Sequence, residues 1–358
     1  MIPLRTPRRI LLIRRRALGD ALVTLPAVLA VRAAWPAAAV DLVVDRPFAP
    51  LLLDLLAGRD AGIQVVSWPL PGPAGWVARL RGAGYDLVID WLGNPRTALW
   101  TALSGAAVRV GYDLPRRRWA YNVRVPRERV EGRSVDAFAG ESFLDPLRTL
   151  GVEVAPWRSG CAAGYAPADG ALGEAYRQWR QRWDPAGRRP TAVIMSATWP
   201  AKAWPAGHVV RLVRMLEAAG AEPLVILGPG DAPLGEALRP HLEPALFAPP
   251  TSLVELADLV AACRACVGTD NGSRHLAAAL GVPTVTLFGP TSVAGWNPPG
   301  PRHVPLRTGE PCSPCNLTEC PVEGHPCLEG LQPGRVAEAV TALTALTNRR
   351  TAGAGGKP

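Results

Sequence analysis

The stretch GTDNGSRHLAAALGVPTVTLFGPT, from Gly268 to Thr291, sets Asp270, Asn271, Gly272 and Ser273 at the mouth of an Ala/Leu-rich helix, with His275 one turn inside. Asp, Asn and Ser at such a place cap the orphan N–H groups of a helix start. The same N–H groups, with the positive end of the helix dipole, also attract phosphate, and a glycine lets the ligand reach the backbone. Capping alone does not call for His275. Other polar residues sit in short turns: Asp20 in Leu18-Gly19-Asp20, Asp90 and Asn94 in DWLGN, Ser196, Thr198 and Lys202 in SATWPAK, and Asp231 in Gly228-Pro229-Gly230-Asp231. A carboxylate in such a turn can take a proton from an attacking hydroxyl or accept from ribose hydroxyls. Lys202 brings a compact charge suited to phosphate, and it is one of only two lysines in a chain whose other basic residues are arginines. Each has a plainer alternative, an N-cap for Asp20 and Asp231 and a solvated side chain for Lys202.

A second constellation is CSPCNLTECPVEGHPC, which brings Cys312, Cys315, Cys320 and Cys327 within sixteen residues, with His325 between the last two. A C-x2-C pair followed by two more cysteines has the makings of a tetrahedral sulfur site for structural zinc or iron, with His325 able to replace one ligand. Reduced cysteines packing a Pro-rich loop are the alternative. Cys263 and Cys266 form another C-x2-C, but in a helix-to-strand passage where core packing is expected.

These residues need a scaffold, and hydrophobic periodicity supplies one. Arg9 to Arg14 reads as a buried strand, 21–34 as a helix kinked at Pro26, and 40–44, 63–67 and 85–91 as further strands. A helix at 95–104, a short strand around 108–110 and a helix at 136–151 follow. After a Pro-, Gly- and Arg-rich stretch holding a helix at 170–183, the rhythm restarts with strands at 191–195, 223–227, 265–268 and 284–288. Helices at 205–219, 231–238, 251–261 and 333–347 complete it. Strands alternating with helices at this spacing predict parallel sheets covered on both faces. The division expected is an N-terminal domain over 1–165, a C-terminal domain over 166–348 and a disordered tail over 349–358. Two such domains facing each other across a cleft would collect the polar loops at the C-terminal ends of their strands, where ligands bind in these folds.

Composition narrows the partners. At 358 residues the chain can build two cores, and every apolar run is interrupted well before the roughly eighteen residues of a membrane span. Arg14, Arg15 and Arg16 follow the first apolar run, and no small-residue cleavage site does, so a cytoplasmic protein is expected rather than a secreted one. Disulfides are then not expected. The net charge of +9 fits an anionic membrane surface or a phosphorylated substrate, and no zinc-finger, RNP or basic-zipper pattern supports nucleic acid.

The motifs, in order, resemble glycosyltransferase family 9, the ADP-heptose:lipopolysaccharide heptosyltransferases. RRALGDALVTLPAVLAVR is similar to the family's opening motif, and YDLVIDWLGNPRTALW with RVGYD to its second N-terminal signature. SATWPAKAWPAGHVVRLV resembles its Lys-x-Trp-Pro segment, ILGPGD its nucleoside loop, and Asp270 to His275 with the later Gly-Pro-Thr its phosphate element, apart from Asn271 where Ser or Thr is usual. The resemblance implies a GT-B fold, two Rossmann-like doubly wound domains, and inverting transfer of a heptose from ADP-L-glycero-D-manno-heptose to a Kdo or heptose acceptor of the lipopolysaccharide inner core. It implies Asp20 as catalytic base, and donor binding by Ser196, Thr198, Lys202, Asp231, Asp270, Asn271, Gly272 and His275. Asp90 and Asn94 are expected to shape the cleft or bind the acceptor, and Arg116 and Arg117, with Arg118, either meet the anionic acceptor or belong to a solvated loop. It also implies the inner face of the inner membrane as the workplace, with peripheral contact to its anionic surface. No cofactor is required for catalysis, and since some members lack the cysteine cluster, that loop is expected to be structural. The alternatives are another GT-B sugar-nucleotide enzyme, such as one with a different donor or an epimerase, and a non-catalytic nucleotide- or metal-binding protein.

Overall fold

The computed structural model describes residues 6–57, 62–68, 73–126, 138–183 and 189–354. The chain forms two compact units, Met1–Arg158 and Ser159–Pro358, dividing seven residues before the boundary expected from the sequence.

In the first unit six parallel strands, β1 (Arg9–Ile13), β2 (Ala39–Asp45), β3 (Ile63–Trp68), β4 (Leu87–Asp90), β5 (Val108–Tyr112) and β6 (Val123–Val125), lie in the order β3-β2-β1-β4-β5-β6. Helices cover both faces, so the central strands are apolar throughout, and Ile10, Leu11, Leu12 and Ile13 have no exposed surface. In register, Leu12 lies beside Leu42 on one side and Ile89 on the other. The strand order reverses direction between β1 and β4, a topological switch point of the kind at which doubly wound sheets bind ligands. Trp157 donates its indole N–H to the Val23 carbonyl at 2.9 Å, tying the end of the unit to its first helix, Leu18–Ala34.

The second unit has five parallel strands, β7 (Thr191–Ile194), β8 (Pro223–Val225), β9 (Ala265–Thr269), β10 (Thr284–Leu287) and β11 (His303–Leu306), in the order β11-β10-β9-β7-β8. Its switch point lies between β7 and β9. There the backbones approach so closely that a Cβ on Gly268 would come 2.2 Å from the Ile194 carbonyl oxygen, so the position requires glycine. Val193, Leu212, Val213, Leu216, Val267, Leu287, Val336 and Val340 form its core.

Several elements depart from the sequence reading. The described part of the single helix expected at 136–151 is two short helices, Ala139–Ser142 and Asp145–Thr149, because Pro146 lacks an N–H and restarts the helix in its first turn. Residues 136 and 137 lie outside the described residues. Strand β11 went unread because Pro305 interrupts its pattern, and an edge strand tolerates that proline. The last helix runs Pro333–Ala354, through part of the segment expected to be disordered; 355–358 lie outside the described residues.

Candidate active site

Both switch points carry the polar turns. In the first unit, Asp20 lies within the opening turn of the helix Leu18–Ala34, which begins three residues earlier than expected. Its Oδ2 accepts from the Ala17 N–H at 3.2 Å, so Asp20 is not the N-cap, a place Ala17 takes, but the third helical residue reaching back to it, while Oδ1 pairs with Arg14. Arg14 is buried, donates to the Trp91 carbonyl at 2.9 Å and lies over the Phe143 ring. One buried guanidinium thus links the loop after β1 to the loop after β4 and fixes the Asp20 carboxylate, which keeps a quarter of its side-chain surface exposed. The sequence gives no sign that Arg14 holds the Asp20 carboxylate.

Asp90 shapes the loop after β4. It is buried, with Oδ1 accepting from Leu92 and Gly93 N–H at 3.0 and 2.9 Å and Oδ2 from the Tyr121 hydroxyl at 2.8 Å. Burial pushes its carboxyl up, against these hydrogen bonds. Its acceptors are occupied in building the loop. Asn94 caps the helix Pro95–Leu103 by accepting from Thr97 N–H at 2.9 Å. Arg116 is exposed and Arg117 half-buried in the turn that precedes Tyr121, and neighbouring Arg118 pairs with Asp113 at 3.1 Å.

In the second unit the centre is Asp270, just past the end of β9 and nearly fully buried. Its Oδ2 accepts from Lys202 Nζ at 3.0 Å and from the Thr291 hydroxyl at 2.8 Å, and its Oδ1 from Arg274 at 2.6 Å, with His275 Nε2 3.7 Å away. Burial alone would raise this carboxyl. The charges of Arg274 and Lys202, with the His275 ring close by, outweigh it and hold it well below the usual carboxylate range. Lys202 also donates to the Asp270 carbonyl at 2.9 Å and sits over the Trp199 ring at 4.6 Å. With Asp270 negative and Lys202 and Arg274 positive, the cluster is net cationic at the N-terminus of the helix Gly272–Ala279.

Asn271 is the N-cap, accepting from Arg274 N–H at 2.9 Å. Its amide donates to the Ile194 and Ser196 carbonyls at 3.2 and 3.1 Å, which binds the helix start to the end of β7 across the switch point. Asn therefore does here what Ser or Thr would do, and adds a bridge. Gly272 and Ser273 remain partly exposed at the helix mouth. Ser196 donates to Asp231, which also accepts from the Gly228 N–H at 2.6 Å; Thr198 is exposed on the loop after β7. His275 is buried and meets Trp296 edge-on at 5.8 Å. The structure thus gathers Lys202, Asp270, Asn271 and His275, with Ser196 and Asp231 paired at the neighbouring strand end. Sequence reasoning gives Arg274 no role and carries Thr291 only as the last residue of the Gly-Pro-Thr motif. Asp270 and Arg274 stand at i and i+4, a spacing visible in the sequence.

The cysteines line one small cavity of about 30 Å³ with His325: Cys312, Cys315, Cys320 and Cys327 all border it. The Cys327 thiol is pushed up to about 11, first by burial and then by the other three thiols. Among the described residues no group of three or more His, Cys, Asp or Glu is gathered closely enough to hold a metal ion. His325 Nε2 lies 2.9 Å from the Ala201 carbonyl oxygen, so a ligand role would fall to its Nδ1.

Comparison with known proteins fits this geometry. The chain is 29% identical to lipopolysaccharide heptosyltransferase 1 of Pseudomonas aeruginosa, over 94% of this chain and 98% of that one. It superposes on the ADP-heptose lipopolysaccharide heptosyltransferase II of E. coli with a TM-score of 0.71 at 22% identity, over 95% and 99% of the two chains. It also resembles the dodecameric iron-containing heptosyltransferase TibC, solved in complex with ADP-D-beta-D-heptose, with a TM-score of 0.57 at 14% identity over 95% and 77%. The two parallel sheets make this the GT-B type of α/β fold, shared with those enzymes. The model of glycosyltransferase family 9 (heptosyltransferase) matches residues 76–325, from within the helix after β3 into the cysteine loop, and the chain belongs to that family of glycosyltransferases.

Proposed function

We propose that this glycosyltransferase moves a heptose from ADP-L-glycero-D-manno-heptose to a Kdo or heptose hydroxyl of the lipopolysaccharide inner core, with inversion at the anomeric carbon. The observation that carries the donor half is the buried Asp270 cluster. Lys202, Arg274 and the open N–H groups at Gly272 and Ser273 form a fixed, net positive site, and the ammonium's two hydrogen bonds both go to Asp270, leaving a third hydrogen for a phosphate oxygen. Such preorganised donors stabilise the charge that grows on a departing diphosphate. Asp231 is the residue for the ribose hydroxyls.

The acceptor half rests on Asp20. As the acceptor oxygen bonds to the anomeric carbon and the bond to phosphate breaks, Asp20 takes the hydroxyl proton and ADP leaves with the electron pair. Arg14 and the Ala17 N–H aim the carboxylate. The exposed Arg116 suits an anionic acceptor. Work at the inner face of the inner membrane fits the +9 charge, since no helix among the described residues is long and apolar enough to cross a membrane. Incubation with ADP-heptose and a heptose-deficient core should add one heptose to the acceptor and release ADP, seen by mass spectrometry. Release of ADP without any gain of mass on the acceptor would refute the assignment.

Transfer itself needs no cofactor in this reading. For the cysteine loop we propose structural zinc or iron on Cys312, Cys315, Cys320 and Cys327. The donor set suits a thiolate-preferring ion in kind and number, although the sulfurs border their cavity without closing on one point. Anaerobically prepared protein should then carry about one zinc or iron per chain, the count one four-ligand site permits. Elemental analysis showing neither metal would leave a loop of reduced cysteines.

A further inference from the structure

The cysteine loop is more closely joined to the Asp270 cluster than a remote structural element would be. Both backbone groups of Ala201, the buried residue before Lys202, are held by this loop. Its N–H donates to the Thr318 carbonyl at 2.9 Å, and its carbonyl lies 2.9 Å from His325 Nε2. A carbonyl oxygen only accepts, so Nε2 carries the hydrogen and donates. The loop also grips the segment leading to Thr291. Asn316 N–H donates to the Pro290 carbonyl at 2.7 Å, and the Ser313 hydroxyl to the Gly289 carbonyl at 2.6 Å. Packing reinforces these bonds, for a Cβ on Gly289 would meet Leu328 Cγ at 2.8 Å and Cys327 Sγ at 3.2 Å. Lys202 and Thr291 are the two groups that share Oδ2 of Asp270. The residue before each is therefore fastened to one and the same loop.

We propose that residues 312–327 form a positioning clamp for the donor site, in which His325 is the positioning residue that sets the Lys202 turn and Ser313 and Asn316 set the Thr291 turn. The chain adopts left-handed backbone at Asn316 (φ 56°) and His325 (φ 45°), two non-glycine residues at the two contact points. Such conformations persist where the surroundings over-determine them, and here each residue makes one of the bonds that join the loop to the site. The clamp acts on the diphosphate end of the donor, because Lys202 addresses phosphate, and in this it rests on the donor-site reading above. It gives the cysteine cavity a role beyond packing. Whatever closes the thiols together stiffens the loop from which two sides of the Asp270 cluster hang.

The test is the ratio of affinities for ADP and adenosine, measured by calorimetry on wild type, His325→Ala and His325→Gln, with melting temperature recorded for each. The loss of one hydrogen bond that steers a charged contact should weaken ADP binding roughly threefold to tenfold in His325→Ala, with adenosine changed little. His325→Gln, whose amide N–H reaches a similar place, should recover most of the loss. If His325→Ala does not fold, Ser313→Ala, which removes only the Gly289 bond, should shift the same ratio in the same direction. A lower melting temperature with an unchanged ratio in both variants would make the loop mere packing and overturn the proposal. A wild type that binds ADP no better than adenosine would overturn the donor-site reading beneath it as well.

Discussion

Asp270 is the residue on which most of the donor site's energy converges. Lys202 and Arg274 are largely buried beside it, with side-chain exposures of 13% and 0%, so its charge is what makes their burial tolerable. Asp270→Asn keeps the shape and removes the charge. Two cations would be left without their counter-ion, and breaking a buried pair from one side costs about 3–5 kcal/mol. Chemical denaturation should show a loss of that size in the second unit, and a variant as stable as wild type would mean the cations find other partners. Lys202→Ala makes the complementary prediction: ADP should lose more affinity than adenosine, while equal losses would make Lys202 structural. The i,i+4 spacing of Arg274 to Asp270 lay in plain view in the sequence, though it went unread. The Lys202–Asp270 pair was not legible, because 68 residues separate its members and only the parallel pairing of β7 with β9 brings their loops together.

At the scale of elements, the strand edge at β10 and β11 carries a titration of its own. His303 opens β11, is buried, and has its Nδ1 2.9 Å from the Thr284 hydroxyl at the start of β10. Burial first, then the charges of Arg274, Arg302 and His275, lower its imidazole from 6.5 to about 3. A base whose folded value lies below its unfolded value binds its proton more readily when unfolded. Stability is therefore full above about pH 6.5 and falls as the pH drops towards 3, by at most about 1.4 kcal/mol per pH unit. His303→Asn, which can still meet Thr284, should flatten the melting-temperature profile between pH 4 and 6.5, and an unchanged slope would assign the acid sensitivity to other groups. The same edge shows the limit of pattern reading. The strands at 191–194, 265–269 and 284–287 are buried on both faces and read as apolar runs, whereas HVPL opens on a histidine, is less buried at its two middle residues and is broken by proline. The helix pair at Ala139–Ser142 and Asp145–Thr149 was misread for the opposite reason, an apolar period that continues through a proline.

For the whole molecule, the repeated strand–helix rhythm was enough to expect two doubly wound units, because burial on both faces forces uniform apolar strands. Their strand orders were not readable, yet those orders put the Asp20 turn and the Asp270 turn each at a switch point. In the proposed function the two units do different work: the second holds the donor's diphosphate and the first supplies the base. Asp20→Ala tests that division most directly, with steady-state turnover and ADP affinity measured on the same preparation. Turnover should fall at least ~100-fold, the usual scale for a general base, with ADP affinity close to wild type. Turnover near the wild-type rate would remove Asp20 from the chemistry, and a parallel collapse of ADP affinity would contradict the separation of roles.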